Sequence, residues 1–400
     1  MAGLSAKGSG LLAPATAWEE EDGRKEVRGV KKGMNLRIPG PTPLAPEVRR
    51  AMPMEMMDHR GLEFERLMCE STLHLRHFYQ TEGEVLLLTA SGTGGLEAAL
   101  VNTLSPGDVV LAVTNGAFGE RWAAMARAFG ADVRVLDYPW GTALDALDIE
   151  QALRGNPDVR VLLTTHNETS TGVLNDLAQV AEMLRGLRGE RPLWLVDAVS
   201  SLGAVDLPMD AWGCDMVVSA SQKAWMAPPG LAFVGVSARA WERMLVARCP
   251  RYYWDLMAAK KQAQRGQTPF TPALPAIYGL CTALRSMAKE GLPAIVARHR
   301  RLCQQLRAGL RALGLRLLAD DACASPTVTA VHMPSGVSAG EVKSEMARRG
   351  VIVASGMGAF KDELLRIAHL GYCEATDLEQ VLDALQAALV CAGAAEGRAI

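Results

Sequence analysis

No stretch of eighteen consecutive apolar residues occurs in this 400-residue chain, so no transmembrane helix is expected. No C-x-x-C pair occurs either. The eight cysteines, at positions 69, 214, 249, 281, 303, 323, 373 and 391, are scattered. A chain of this length needs no disulfide staples, and reduced thiols in a cytoplasmic protein are expected. Charge of one sign is not in excess: 42 Lys and Arg stand against 44 Asp and Glu, a formal net charge of −2. The two signs are mixed along the chain, which argues against nucleic acid or a membrane surface as a partner. His74 and His77 have no third ligand nearby, so no metal site is expected. The N-terminus lacks the basic start and apolar core of a signal peptide. Internal repeats and low-complexity tracts are also missing.

What is present is a large apolar fraction, 49% of residues, enough for an extensive core. The length suits two or three domains. From residue 60 onward, short apolar runs at 109–113, 133–136, 159–163, 193–196, 216–219 and 231–236 alternate with helical patterns such as 176–187. Continuous apolar strands alternating with helices predict an α/β fold with a mostly parallel sheet covered on both faces. A long helical stretch follows at 275–313, broken near Gly291-Leu292-Pro293. Strands at 315–318, 327–332, 351–354 and 364–368, with helices at 339–349 and 377–391, predict a second, smaller α+β domain. The expected division is an N-terminal extension at 1–33, an arm at 34–59, a large domain at 60–285 and a small domain at 286–400. The extension is small-residue-rich, then dense in mixed charge, and is expected to be disordered or to act as an arm around a second copy; Met34 is a candidate start.

Three features carry chemistry. Lys223 follows the apolar run 216–219 and precedes Pro228-Pro229-Gly230, which places an amine at a strand end, where open α/β sheets bind ligands. A desolvated lysine loses its proton more readily and attacks carbonyls. Asp197 ends the run Leu193-Trp194-Leu195-Val196. A lone Asp there is an ordinary turn residue, but an opposite-charge pair at neighbouring strand ends fits pyridoxal phosphate, which needs a lysine for its aldehyde and a carboxylate for its ring nitrogen. Between a strand at 84–89 and a helix beginning near Leu96 lies Ala90-Ser91-Gly92-Thr93-Gly94-Gly95. Such a turn presents backbone N–H groups and a helix dipole to one phosphate. It matches neither Walker A nor G-x-G-x-x-G, so nucleotide binding is not favoured.

With these residues in view, the chain resembles the fold-type I, class V aminotransferases, closest to the alanine–glyoxylate and serine–glyoxylate group. The resemblance is carried by Ile38-Pro39-Gly40-Pro41-Thr42-Pro43, Ser91-Gly92-Thr93-Gly94, Asn115-Gly116-Ala117-Phe118-Gly119, Thr165-His166-Asn167-Glu168-Thr169-Ser170-Thr171-Gly172, Val196-Asp197-Ala198-Val199-Ser200, Ser221-Gln222-Lys223 and Leu365-Arg366-Ile367, in family order from about residue 35 to the C-terminus. It implies a seven-stranded sheet in the large domain. It implies that Lys223 holds the cofactor as a Schiff base and shuttles a proton, and that Asp197 pairs with the ring nitrogen. Phe118 would stack on one ring face, where many relatives have Trp, and Val199 on the other. Thr169 would bond the ring oxygen and reach the substrate; Ser91, Gly92, Thr93 and Gln222 would hold the phosphate. Thr268 and Thr271 would reach the phosphate of a partner subunit in a homodimer. Arg366 would clamp the substrate carboxylate, with Gly40 contributing at the site mouth.

The expected activity moves an amino group from a small amino acid, alanine or serine, to glyoxylate or a similar 2-oxo acid. Small substrates are favoured because no second basic clamp for a side-chain carboxylate is evident in the sequence. Alternatives are a donor such as ureidoglycine, pyridoxamine or another amine; a lyase or desulfurase, for which Cys323 is the one loop-like cysteine; and a catalytically silent cofactor-binding module, against which Lys223 and Asp197 together speak.

Overall fold

The computed structural model describes residues 33–393, with the backbone alone of Trp18–Glu21 and Arg24–Val27. Contacts divide the chain at residue 34 into two units. In the first, Trp18–Glu21 pairs antiparallel with Arg24–Val27. The rest of the 1–32 stretch, within the 1–33 segment where disorder was expected, lies outside the described residues.

The second unit, residues 35–400, is built on a seven-stranded and a four-stranded sheet, with a further two-stranded pair, Asn167–Glu168 and Val173–Leu174. The larger has seven strands in the order Glu84–Thr89, Leu231–Val236, Met216–Ala220, Leu193–Asp197, Val159–Thr165, Val109–Thr114, Asp132–Asp137. This is the α/β fold with a mostly parallel sheet that the apolar runs predicted. Leu231–Val236 is the exception, running antiparallel to both neighbours. Leu193–Asp197, Met216–Ala220 and Leu231–Val236 are buried throughout. Alternate side chains serve two different cores: Leu111, Leu162, Trp194, Val196 and Val217 pack on one face, and Val110, Val161, Leu163, Leu195 and Val218 on the other. A period of two with both faces apolar is what a doubly covered sheet requires.

Helix starts follow side-chain chemistry. Asp145, Asp176, Ser237, Asp255 and Ser338 each accept a hydrogen bond from a first-turn N–H. The long helical stretch is two helices, Leu274–Glu290 and Leu292–Ala312, each with Pro in its first turn and separated at Gly291, φ +82°.

The smaller sheet has the order Val328–His332, Leu364–Ala368, Val351–Ser355, Asn35–Arg37. Two features differ from the sequence reading. The expected strand at 315–318 is a single bridge, Leu317 to Val331. The edge strand comes from the N-terminal side: Asn35–Arg37 runs parallel to Val351–Val353. Three residues carry too short a pattern to be recognised as a strand, and pairing across more than three hundred residues leaves no local signal. Arg37 is buried there, pairing with Asp377 at 3.5 Å. This pairing carries the Pro39-Gly40-Pro41 turn back over the strand ends of the large sheet.

Candidate active site

Asp197 and Lys223 lie at adjacent strand ends. Leu193–Asp197 pairs in parallel with Met216–Ala220, Asp197 in register with Val218, and Lys223 occupies the turn just beyond Ala220. That turn is fixed from below: the buried Trp225 indole donates to Ser219 Oγ at 2.7 Å, and Ala227 N–H donates to the Ser221 carbonyl at 3.1 Å. Met226 takes a left-handed φ of +54°, a strained conformation that the surrounding packing must hold in place. The Lys223 ammonium donates to the Pro39 carbonyl, and the Thr42 hydroxyl bonds the Lys223 carbonyl at 3.1 Å. Gly40 must be glycine for two reasons. Its φ is +126°, and a Cβ there would lie 2.8 Å from Lys223 Nζ, Cε and Cδ.

The two groups depress each other's cost but do not cancel it. Burial pushes the Asp197 carboxyl up to about 7, against the Val199 N–H that donates to Oδ1 at 2.9 Å and the Lys223 charge. Burial lowers Lys223 to about 8, opposed by Asp197 and assisted by Arg366 and Arg121. Asp197 is 4% exposed, and the Val199 N–H is its one side-chain hydrogen bond among the described residues. A carboxylate so placed lacks a cationic donor.

The glycine turn stands beside this pair. Helix Gly92–Thr103 starts at Ser91, whose Oγ accepts from Gly94 N–H at 3.4 Å. Ser91 and Thr93 are exposed while Gly92 is buried. A Cβ on Gly92 would meet Val199 Cγ2 at 3.0 Å and Ala220 Cβ at 3.2 Å, so the helix N-terminus sits directly against the residues following Asp197 and the strand leading to Lys223. Gln222 keeps a buried side-chain oxygen without a partner.

Above lies a cavity of about 450 Å³ whose wall includes Gly40, Phe118, Thr169, Lys223, Lys343, Ser355 and Arg366. Thr169 Oγ1 donates to Ser200 Oγ at 2.7 Å, and Ser200 is held in turn by Asn167. Arg366, on Leu364–Ala368, donates from Nε to the Ser355 carbonyl at 2.8 Å and from Nη1 to the Thr169 carbonyl at 3.3 Å. Burial lowers it to about 10, with Glu168 opposing. Two carbonyls thus fix the plane of the guanidinium and leave its outer N–H groups free for an anion.

Gly40, Phe118, Thr169, Lys223 and Arg366 therefore meet at one cavity, whereas Asp197, Ser91, Gly92, Thr93, Val199 and Gln222 are not part of its wall. Thr268 and Thr271 do not line it. Thr268 Oγ1 bonds the Phe270 carbonyl at 2.7 Å inside its own turn, whereas Thr271 is exposed. Cys323 lies in the turn Asp321–Cys323 and takes no part in the cavity wall.

Sequence reasoning missed Glu168 and Lys343. Glu168 is fully buried at the start of helix Ala117–Ala128. Its Oε2 accepts from the N–H groups of Phe118 and Gly119, each at 3.1 Å, and its Oε1 from Ser170 N–H and Oγ at 2.9 and 2.6 Å. Burial raises its pKa while these four donors hold it down. It ties the helix bearing Phe118 to the loop bearing Thr169. Glu168→Gln would turn amide hydrogens toward donors, and a loss of about 1–3 kcal/mol is expected from unsatisfied buried groups. Denaturant unfolding checks this; an unchanged midpoint would show the tie to be dispensable.

A mostly parallel sheet with an amine and a carboxylate at adjoining strand ends, a glycine-rich helix start and a guanidinium over the cavity defines a pyridoxal-phosphate enzyme. The buried Asp197 carboxylate, whose one side-chain hydrogen bond comes from a neutral N–H, fits the protonated ring nitrogen of that cofactor. The family model for class V aminotransferases matches residues 47–373. The chain is 43% identical over 357 residues to a Synechococcus protein named soluble hydrogenase, small subunit, covering 88% of this chain and 92% of that one. It is 39% identical over 339 residues to the L-aspartate–glyoxylate aminotransferase of Paracoccus denitrificans, covering 84% and 85%. The crystal structure of alanine–glyoxylate aminotransferase from Nostoc sp. superposes with a TM-score of 0.86 at 32% identity, covering 93% of this chain and 99% of that one. The chain belongs to the class V aminotransferases and is a pyridoxal-phosphate-dependent transaminase.

Proposed function

We propose that this transaminase moves an amino group from a small amino acid, alanine or serine, to glyoxylate or a similar 2-oxo acid. The observation that carries the reading is that Lys223 and Asp197 lie at the ends of paired strands, with Lys223 and Arg366 in the wall of one cavity. Bound pyridoxal phosphate supplies an aldehyde for the amine and a cationic ring that draws electrons from the donor's Cα.

The chain's own residues do the rest. Lys223 would hold the aldehyde between turnovers, and its neutral amine, once freed, would take the donor's Cα proton and give it back. Burial, which lowers its pKa to about 8, keeps a useful neutral fraction near physiological pH. Asp197 would pair with the ring nitrogen, whose positive charge would offset the carboxylate's burial. Phe118 and Val199 would close the two ring faces, and the Thr169 hydroxyl, which donates to Ser200 Oγ here, would turn its proton toward the ring oxygen. The first-turn N–H groups after Ser91, with Gly92, Thr93 and Gln222, hold the phosphate. Arg366 docks the α-carboxylate of amino and oxo acids alike, so one site serves both half-reactions in a ping-pong cycle. The exposed Thr271, with Thr268, is assigned to the partner's phosphate in a homodimer located in the cytoplasm.

The test is a half-reaction. Cofactor-loaded protein mixed with L-alanine or L-serine should lose its visible absorption band, and glyoxylate should restore it with one glycine formed per site. Bleaching by neither, nor by any other amino acid, would overturn this assignment.

A further inference from the structure

His299 is a fully buried histidine outside the cavity wall, on helix Leu292–Ala312. Its Nδ1 is 2.8 Å from the Ile295 carbonyl, and its Nε2 is 3.2 Å from the nitrogen of the Gly371 N–H. A backbone N–H can only donate, so Nε2 carries no proton and Nδ1 carries the one that bonds Ile295. The ring is therefore neutral, and burial, which lowers its pKa to about 4, keeps it so. The neighbouring Arg298 takes the other side of the same glycine. Its Nη1 donates to the Gly371 carbonyl at 3.1 Å, while Nε and Nη2 donate to Glu290 at 2.7 and 3.1 Å. Consecutive side chains of one helix thus hold both main-chain groups of Gly371. Gly371 in turn is pressed against the Lys223 turn. A Cβ there would lie 3.0 Å from the Lys223 carbonyl oxygen, 3.1 Å from Thr42 Oγ1 and 3.4 Å from Met226 Cγ. That carbonyl accepts from Thr42 Oγ1 at 3.1 Å and from the Met226 N–H at 3.2 Å, so Gly371 backs the atom on which the turn is pinned.

We propose that His299 is a positioning residue for Lys223, acting through Gly371: its unprotonated Nε2 fixes the glycine that backs the Lys223 carbonyl, and so sets where the amine stands for proton transfer. This rests on the reading of Lys223 as the amine that moves the donor's Cα proton. Met226 shows why the turn needs backing. It takes φ +54°, a conformation that its surroundings must impose, and Gly371 is among the groups packed on it. Without the His299 acceptor, the N–H of the buried Gly371 is left unpaired. The segment then shifts to find a partner, and the Lys223 turn loses its backing. A displacement of about 1 Å is enough to slow a positioned proton transfer about 100-fold. Arg366 does not share the loss, because its own holds are the Ser355 and Thr169 carbonyls.

The experiment compares wild type with His299→Leu, which removes the acceptor, and His299→Gln, whose side-chain oxygen can accept from Gly371 in its place. In the cofactor-loaded enzyme, His299→Leu should lower kcat and kcat/KM for L-alanine and L-serine together, by about 10- to 100-fold, with KM little changed. His299→Gln should recover most of the rate. A second arm needs no turnover. In the cofactor-free protein, amide hydrogen exchange should quicken about tenfold or more in His299→Leu, both at 370–372 and in the turn 223–227, and return toward wild type in His299→Gln. Faster exchange at Gly371 with the turn and kcat unchanged would confine His299 to a structural role and overturn the proposal. So would a Gln variant no better than Leu. If His299→Leu does not fold, Arg298→Leu, which frees the Gly371 carbonyl from the less buried side, must meet the same two results. If wild type turns over no amino acid, the transaminase donors are wrong, and the exchange comparison alone decides the role of His299.

Discussion

Lys223→Ala is expected to lower kcat by about 10⁴-fold or more while the protein still folds and retains some cofactor affinity. Two roles disappear together. The amine no longer holds the aldehyde, and no other base stands at the turn beyond Ala220 to move the Cα proton. General acid–base catalysis by a positioned side chain is alone worth about 10²–10⁴-fold. Retention of cofactor follows from the rest of the site: Asp197, the helix start at Ser91 and the wall around Phe118 are untouched. Folding should survive because Lys223 is a poor contributor to stability. Its ammonium is desolvated, its pKa lowered to about 8, and its direct partner is the Pro39 carbonyl. Steady-state kinetics with purified holoenzyme and a cofactor-binding titration check the two halves separately. Turnover near the wild-type rate would remove Lys223 from its assigned role.

Arg366→Ala is expected to raise KM for both amino and oxo acid by about 10²-fold, with a smaller change in kcat. The guanidinium is the group whose outer N–H pairs remain free after its bonds to the Ser355 and Thr169 carbonyls. A carboxylate docked there gains a bidentate, charge-assisted contact in a cavity poor in anions, of about 1.5–3 kcal/mol or more. Because it acts on substrate and transition state alike, the loss should appear chiefly in KM. Both half-reactions should suffer equally, since each substrate carries the same carboxylate. An unchanged KM would mean that the carboxylate docks elsewhere.

The large sheet was legible because it is buried on both faces. Runs such as Leu193–Asp197 and Leu231–Val236 have no polar alternation to confuse with a surface strand. Lys223, Asp197 and Arg366 were legible for the related reason that a charge inside or just beyond an apolar run is costly without a purpose. The antiparallel direction of Leu231–Val236 was not, because strand direction depends on the length and path of the connection and not on the strand's composition. Lys343 was hidden for a different reason. On an amphipathic helix it reads as a solvated lysine, and only the packing of Ala339–Arg348 against Val351–Ser355 turns it toward the cavity. Glu168 stood in a recognised motif, yet its four donors come from its own loop and from a helix fifty residues away, an arrangement no spacing reveals.

The central claim is that one particular amine, Lys223, holds the cofactor opposite Asp197. Borohydride reduction of the holoenzyme, followed by proteolysis and mass spectrometry, tests it most directly. The account predicts a single pyridoxyl-modified peptide, the one containing Lys223, and loss of that modification in Lys223→Ala. A modification placed on any other lysine of the wild-type protein would contradict it.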